Sequence, residues 1–137
     1  YRPRLLLARR GSFDEPARTE SPVAMGAPLV ADPAHLAAVQ RGLEAVMHGP
    51  TGTARAAATG APYRMAGKTG TAQRVSRSRD ENSNKPLREG QRNQALYVGY
   101  APAEAPTIAI ALIIEQGDSG SQAAAPVARR LFDAWLL

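Results

Sequence analysis

Ala66-Gly67-Lys68-Thr69-Gly70-Thr71-Ala72-Gln73 places a lysine, two threonines and two glycines within eight residues. Glycine inside a strand pattern marks a place where another backbone or a ligand comes close. In an exposed strand the side chains alternate, so Thr69 and Thr71 share one side while Lys68 and Gly70 face the other. Two hydroxyls at that spacing can grip an anionic group such as a carboxylate, and the Lys68 ammonium sets the local potential. Gly70 has no side chain to hold a ligand off, so a peptide-like substrate can lie along the strand and pair with it. The Thr71 N–H then aims at a carbonyl under attack, as one half of an oxyanion hole. Loss of one such donor costs about 2.7–4 kcal/mol of transition-state stabilisation. Lys-Thr-Gly alone is a weak motif, and a strand with a chance tripeptide is the bland alternative.

The flanking sequence sets the context. Upstream, Asp32 caps a helix with Pro33 in its first position, and Gly49-Pro50 stops it. Leu36, Val39, Leu43 and Val46 give that helix one apolar face. Thr51-Gly52-Thr53 leads into a short helix, Ala54 to Ala58, ended by Gly60. Downstream, residues 74–92 are polar, charged and aperiodic, and read as a loop. Two strands follow, Ala95 to Tyr100 and Thr107 to Glu115, joined by a turn from Pro102 to Pro106. Gly117-Asp118-Ser119-Gly120 ends the second strand. A closing helix runs from Ser121 or Gln122 to Leu137, with Pro126 in its first turn. Its expected buried face is Val127, Leu131, Ala134 and Trp135, with Trp135 as core filler. At the start of the chain, Leu5-Leu6-Leu7-Ala8 reads as a short buried strand or a strand end, and residues 11–31 as a long loop. The pattern predicts an α+β fold, with about three antiparallel strands packed against the upstream and C-terminal helices.

With 137 residues and 44% hydrophobic content the chain can bury a core, though aromatics are only 5%. It contains no cysteine, which excludes disulfide scaffolds, thiolate metal sites and cysteine nucleophiles. No apolar run approaches the length of a membrane span, and no N-terminal segment reads as a signal peptide. Because it begins at Tyr1 rather than Met, it is expected to be part of something longer. The net charge is +5, and the stretch from Arg64 to Arg92 carries all of that excess. A basic cluster can attract an anionic polymer, with binding that falls steeply as salt rises. No aromatics sit among these charges to stack bases, so nucleic acid is not an expected partner.

Four passages carry a family resemblance. They are His48-Gly49-Pro50-Thr51-Gly52-Thr53-Ala54, then Ala66 to Gln73, then Ala95-Leu96-Tyr97-Val98-Gly99-Tyr100-Ala101-Pro102-Ala103, and the ending Ala123-Ala124-Ala125-Pro126-Val127-Ala128-Arg129-Arg130. From about Asp32 onward the chain resembles the C-terminal part of the transpeptidase domain of class B penicillin-binding proteins, and within them the penicillin-binding protein 2 group of cell elongation. Lys-Thr-Gly is that superfamily's third signature, beside Ser-x-x-Lys and a Ser-x-Asn type motif. The resemblance implies a partial serine β-lactamase/transpeptidase-like fold. Residues 1–31 then form a strand end and loop, and residues 32–137 the rest of one C-terminal portion.

It further implies a D,D-transpeptidase that cross-links peptidoglycan stem peptides through a serine acyl-enzyme and is acylated by β-lactams. Such an enzyme sits at the periplasmic face of the inner membrane, anchored by an N-terminal segment outside this chain, beside membrane proteins of the elongation complex. By motif, Lys68 supports the proton network of the cleft. Thr69 and Thr71 hold the terminal carboxylate of substrate or antibiotic, Gly70 and Ala72 line the strand beside them, and the Thr71 N–H serves the oxyanion hole. A septal transpeptidase or serine β-lactamase fragment is the alternative within the superfamily, and a basic anion-binding module the alternative outside it.

The nucleophile is not in this segment. The serines are Ser12, Ser21, Ser76, Ser78, Ser83, Ser119 and Ser121; none has lysine three residues later, and no Ser-x-Asn occurs. The isolated chain is therefore expected to be inactive. No cofactor is expected, and Glu44, Glu115 and Asp118 show no metal-ligand spacing. His35 reads as a surface residue. His48, at a helix C-terminus, reads as a group suited to the dipole rather than to catalysis.

Overall fold

Asp32 caps the first helix as its sequence dictates: its Oδ1 accepts the Ala34 N–H at 2.8 Å, and α1 runs over Pro33–His48. The computed structural model describes residues 5–23, 26–27, 30–74 and 90–137. Most of the expected basic loop, residues 75–89, lies outside the described residues. Contacts divide the chain into two compact units, Tyr1–His35 and Leu36–Leu137.

In the first unit, β1 (Ala8–Arg9) and β2 (Arg18–Thr19) pair antiparallel, with Ala8 opposite Thr19. The Glu20 N–H donates to the Leu7 carbonyl at 2.9 Å, and Arg9 pairs with Glu20 at 2.8 Å. The expected buried strand at Leu5-Leu6-Leu7-Ala8 is corrected, because all three leucines are exposed and pairing begins only at Ala8. Strand β2 lies inside the stretch read as loop. Neither two-residue strand shows a run long enough for period-two reading.

The second unit holds the sheet. After the short helix α2 (Arg55–Ala58) come β3 (Ala66–Ala72), β4 (Gln94–Ala101) and β5 (Ile108–Ile114), all antiparallel in the order β3-β4-β5. A five-residue π turn, Gly120–Ala124, leads into α3 (Ala125–Leu136). Among the described residues the fold is α+β with three antiparallel strands in the main sheet and a terminal helix, as the sequence predicts.

Register fixes which side chains share the core. Thr69, Tyr97 and Leu112 form one cross-strand row; Gly67, Gly99 and Ile110 form the next on the same face. Tyr97 fills the space those two glycines leave. A Cβ on Gly67 would fall on the Tyr97 hydroxyl, and one on Gly99 would stand 2.5 Å from it. The ring end therefore lies across both glycines, and its hydroxyl donates to the Met47 Sδ at 3.4 Å. Met47, Met65, Ala95, Tyr97, Ala128 and Phe132 are all almost wholly buried in this core.

Two expected faces are corrected. Helix α3 buries Ala125, Ala128 and Phe132, not Val127, Leu131, Ala134 and Trp135, and Trp135 is 64% exposed. The alanines let the helix approach the sheet closely while one large ring fills the remaining volume, a choice that counting apolar bulk does not reveal. Helix α1 buries Met47, with Leu43 and Val46 half-buried, while Leu36 and Val39 are exposed.

Candidate active site

Strand β3 is an edge of the three-stranded sheet, and its pairing with β4 is continuous from Ala66↔Tyr100 to Ala72↔Gln94. Thr69 and Thr71 face the side of Tyr97 and Ala95, while Lys68 and Gly70 face the side of Val98 and Leu96. The alternation expected from sequence is therefore present. Lys68 and Thr71 are exposed, Thr69, Gly70 and Ala72 half-buried. The Lys68 ammonium donates to the Thr69 carbonyl at 2.6 Å.

Thr69 does not stand free. Its hydroxyl lies 3.0 Å from that of Thr53, a residue given no site role from the sequence. The signal was present in Thr51-Gly52-Thr53, but nothing local says that this loop meets β3. The loop is held by backbone hydrogen bonds, Gly52 N–H to Gly49 O at 3.0 Å and Ala54 N–H to Val46 O at 3.1 Å. Gly49 and Gly52 permit this closure: a Cβ on Gly49 would lie 2.6 Å from the Ala45 carbonyl oxygen, and one on Gly52 2.5 Å from that of Val46. Each hydroxyl offers one proton and two lone pairs, so the Thr53–Thr69 pair still has a proton and lone pairs to offer a ligand.

His48 anchors the entrance of β3. Its Nε2 accepts the Met65 N–H at 3.0 Å, which places the proton of a neutral ring on Nδ1. That is a structural contact beyond the dipole role expected from sequence. His35 is exposed and lies 3.8 Å from Asp32. Among the described residues no three His, Asp or Glu side chains gather as a metal-binding group.

Beyond the far end of β3, the Asp118 carboxylate accepts from the Arg92 guanidinium, with Nε at 2.8 Å, and from the Asn93 N–H at 3.2 Å. The hydrogen bond from Arg92 holds the Asp118 carboxyl below the usual carboxylate range. The Ser119 and Ser121 hydroxyls lie 3.0 Å apart, both half-buried.

The described residues thus present an edge strand carrying Lys68, Thr69 and Thr71, backed by a hairpin and a terminal helix. The chain belongs to the penicillin-binding protein transpeptidase domain, whose family model matches residues 14–133. Within it, the chain is closely related to the peptidoglycan D,D-transpeptidases named MrdA. It is 38% identical to that of Haemophilus influenzae over 100 residues, covering 72% of this chain and 15% of the relative. It is 49% identical to that of Acinetobacter baumannii over 76 residues, 55% of this chain and 11% of the relative. Among solved structures, Pseudomonas aeruginosa PBP2 in complex with WCK 5153 matches at a TM-score of 0.69 and 41% identity, over 86% of this chain and 23% of that one. The Helicobacter pylori PBP2 in complex with MreC matches at 0.59 and 27%, over 76% and 18%. The chain thus spans a small part of the length of each.

Proposed function

We propose that this chain forms the Lys-Thr-Gly wall of a serine-type peptidoglycan D,D-transpeptidase, as the C-terminal portion of a single transpeptidase domain. The observation that carries the reading is β3 itself: an extended edge strand with Lys68 and Thr71 exposed, in a chain of this family. In this reading Thr69 and Thr71 bind the terminal carboxylate of a stem peptide or β-lactam, with Gly70 and Ala72 beside them. The Thr71 N–H steadies the oxyanion, and Lys68 supports proton movement to and from a serine supplied by another part of the protein. Residues 32–137 then provide the helix, the Lys-Thr-Gly strand, the hairpin and the terminal helix of that domain, and residues 1–31 a strand end and loop. The resemblance to MrdA and PBP2 supports a place at the periplasmic face of the inner membrane, and the H. pylori complex supports an elongation-complex protein such as MreC as a partner.

The test uses fluorescent penicillin on this 137-residue chain and on a longer protein that includes its upstream sequence. Covalent label is expected on the longer protein alone, with labelling slowed ~10²–10³-fold or more by Lys68→Ala, the scale of losing one group that steadies the transition state. Labelling of the 137-residue chain would overturn the assignment of the nucleophile to another segment.

A further inference from the structure

The connection between β5 and α3 is built with unusual care for a surface turn. Gln116 and Asp118 both have left-handed backbones, with φ of 57° and 59°. Non-glycine residues persist there only where their surroundings hold them. The Gln116 Oε1 accepts the Gly90 N–H at 3.1 Å, and the Asp118 N–H donates to the Asn93 carbonyl at 3.0 Å. With Arg92 and Asn93 donating to the Asp118 carboxylate, the turn is tied on several sides to residues that lead into β4.

The turn then crosses the sheet on its core face. A Cβ on Gly117 would meet those of Ala95 and Ala123 at 2.8 and 3.1 Å, and Ala124 is buried in the core. At Gly120 the crossing reaches β3. A Cβ there would fall on the Gly70 carbonyl oxygen, 2.5 Å from the Leu96 oxygen and 2.8 Å from the Gly70 nitrogen. Backbone therefore rests on backbone. The contact lies on the face that carries Thr69 and Thr71, at the strand position between them.

Magnitudes decide what this arrangement is for. The Arg92 and Asp118 side chains are 49% and 44% exposed, and solvent screening leaves an ion pair so exposed little to add to global stability. A displacement of ~1 Å at a reacting group can cost ~10²-fold in rate. The geometry points to a positioning brace. We propose that Asp118, through Arg92 and Asn93, holds the 116–121 turn closed so that Gly120 fixes the depth of Gly70, and with it the Thr69 and Thr71 hydroxyls and the Thr71 amide. This rests on the transpeptidase reading of those groups. Asp118 and Gly120 touch no substrate; they act through β3.

Two measurements test the brace separately from that reading. In the longer protein, the fluorescent-penicillin reaction is resolved into its pre-acylation dissociation constant and its acylation rate constant. Asp118→Ala is expected to lower the acylation rate constant ~10-fold and Gly120→Ala ~10²-fold, the scale of a misplaced reacting group. Asp118→Asn keeps an acceptor for the Asn93 N–H and tolerates a left-handed φ, but it puts an amide –NH2 where Oδ2 accepts from Arg92, so it should restore only part of the rate. Wild-type acylation rates in both Asp118→Ala and Gly120→Ala would overturn the brace, as would losses that merely track the thermal midpoint. In the 137-residue chain, amide hydrogen exchange in β3 and at Leu96 should accelerate at least ~10-fold in Asp118→Ala while α1 is unchanged, the signature of local opening. Unchanged β3 exchange would sink the brace even if penicillin labels the longer protein. A wild-type protein that takes no label, with β3 exchange accelerated as expected, would sink the transpeptidase reading and leave the brace standing.

Discussion

Gly67 and Gly70 are three residues apart, so their Cβ directions lie on opposite faces, and their tolerances differ sharply. A methyl group on Gly67 meets the fixed end of Tyr97 and, at 2.8 Å, the Val98 carbonyl oxygen. On Gly70 it meets the Leu96 Cβ at 3.2 Å and Cδ1 at 3.4 Å, a milder crowding that a shift of a few tenths of an ångström relieves. Gly67→Ala is therefore expected to destabilise by about 1–3 kcal/mol, the usual cost of overpacking, and Gly70→Ala by less. Urea unfolding of the two variants checks the order; equal midpoints would show that Tyr97 yields more readily than its packing implies. Lys68, Thr69, Gly70 and Thr71 were legible as a candidate site because each has a chemical reason to be in that strand. Thr53 was not, since its role exists only through a hydroxyl 3.0 Å away and sixteen residues later.

Helix α3 carries two candidate apolar stripes, and packing selects the less bulky one. Phe132 is wholly buried, whereas Trp135 is 64% exposed. Phe132→Ala should cost about 3–5 kcal/mol, as buried aromatics do. Trp135→Ala should stay within about 0.5 kcal/mol in this chain, as surface changes do. Thermal unfolding of both variants distinguishes the stripes, and a large loss at Trp135 would contradict the packing. The same helix is latched by Asp133, which accepts from the Tyr63 hydroxyl at 2.6 Å and from the Arg129 Nε at 2.8 and 2.9 Å. Arg129 also donates to the Ala57 and Thr59 carbonyls at 3.3 and 3.2 Å, tying α3 to α2 and the residue after it. Hairpin and helix positions were readable from periodicity and turn residues. The identity of the buried face was not, because it depends on the depth of the groove that α3 enters.

For the whole molecule, protonation sets limits at both ends of the pH scale. Burial, and then the Asp133 hydrogen bond, push the Tyr63 phenol up to about 12, and burial pushes Tyr97 to about 12 as well. In the unfolded chain both ionise near their ordinary value of about 10. Above that value the unfolded state binds fewer protons, so the stability from these phenols is complete below about pH 10 and lost as pH rises to about 12. Asp118 and Asp133 lie below the ordinary carboxylate range, held there chiefly by hydrogen bonds from Arg92 and Tyr63. Their contribution is complete above about pH 4 and fades as pH falls through the depressed values. Urea unfolding from about pH 8 to 12 should show the alkaline loss, and Tyr63→Phe should shrink it; an identical slope in that variant would exclude Tyr63 as its source. Sequence alone determined the Asp32-capped helix Pro33–His48, the β3 alternation, the hairpin and the family, because caps, turns and period-two patterning act between near neighbours. Only the tertiary structure decided that Thr53 meets Thr69, that Phe132 rather than Trp135 enters the core, and that Gly120 rests on Gly70. Those outcomes depend on distances between segments far apart in the chain, which close packing fixes and local preference does not encode.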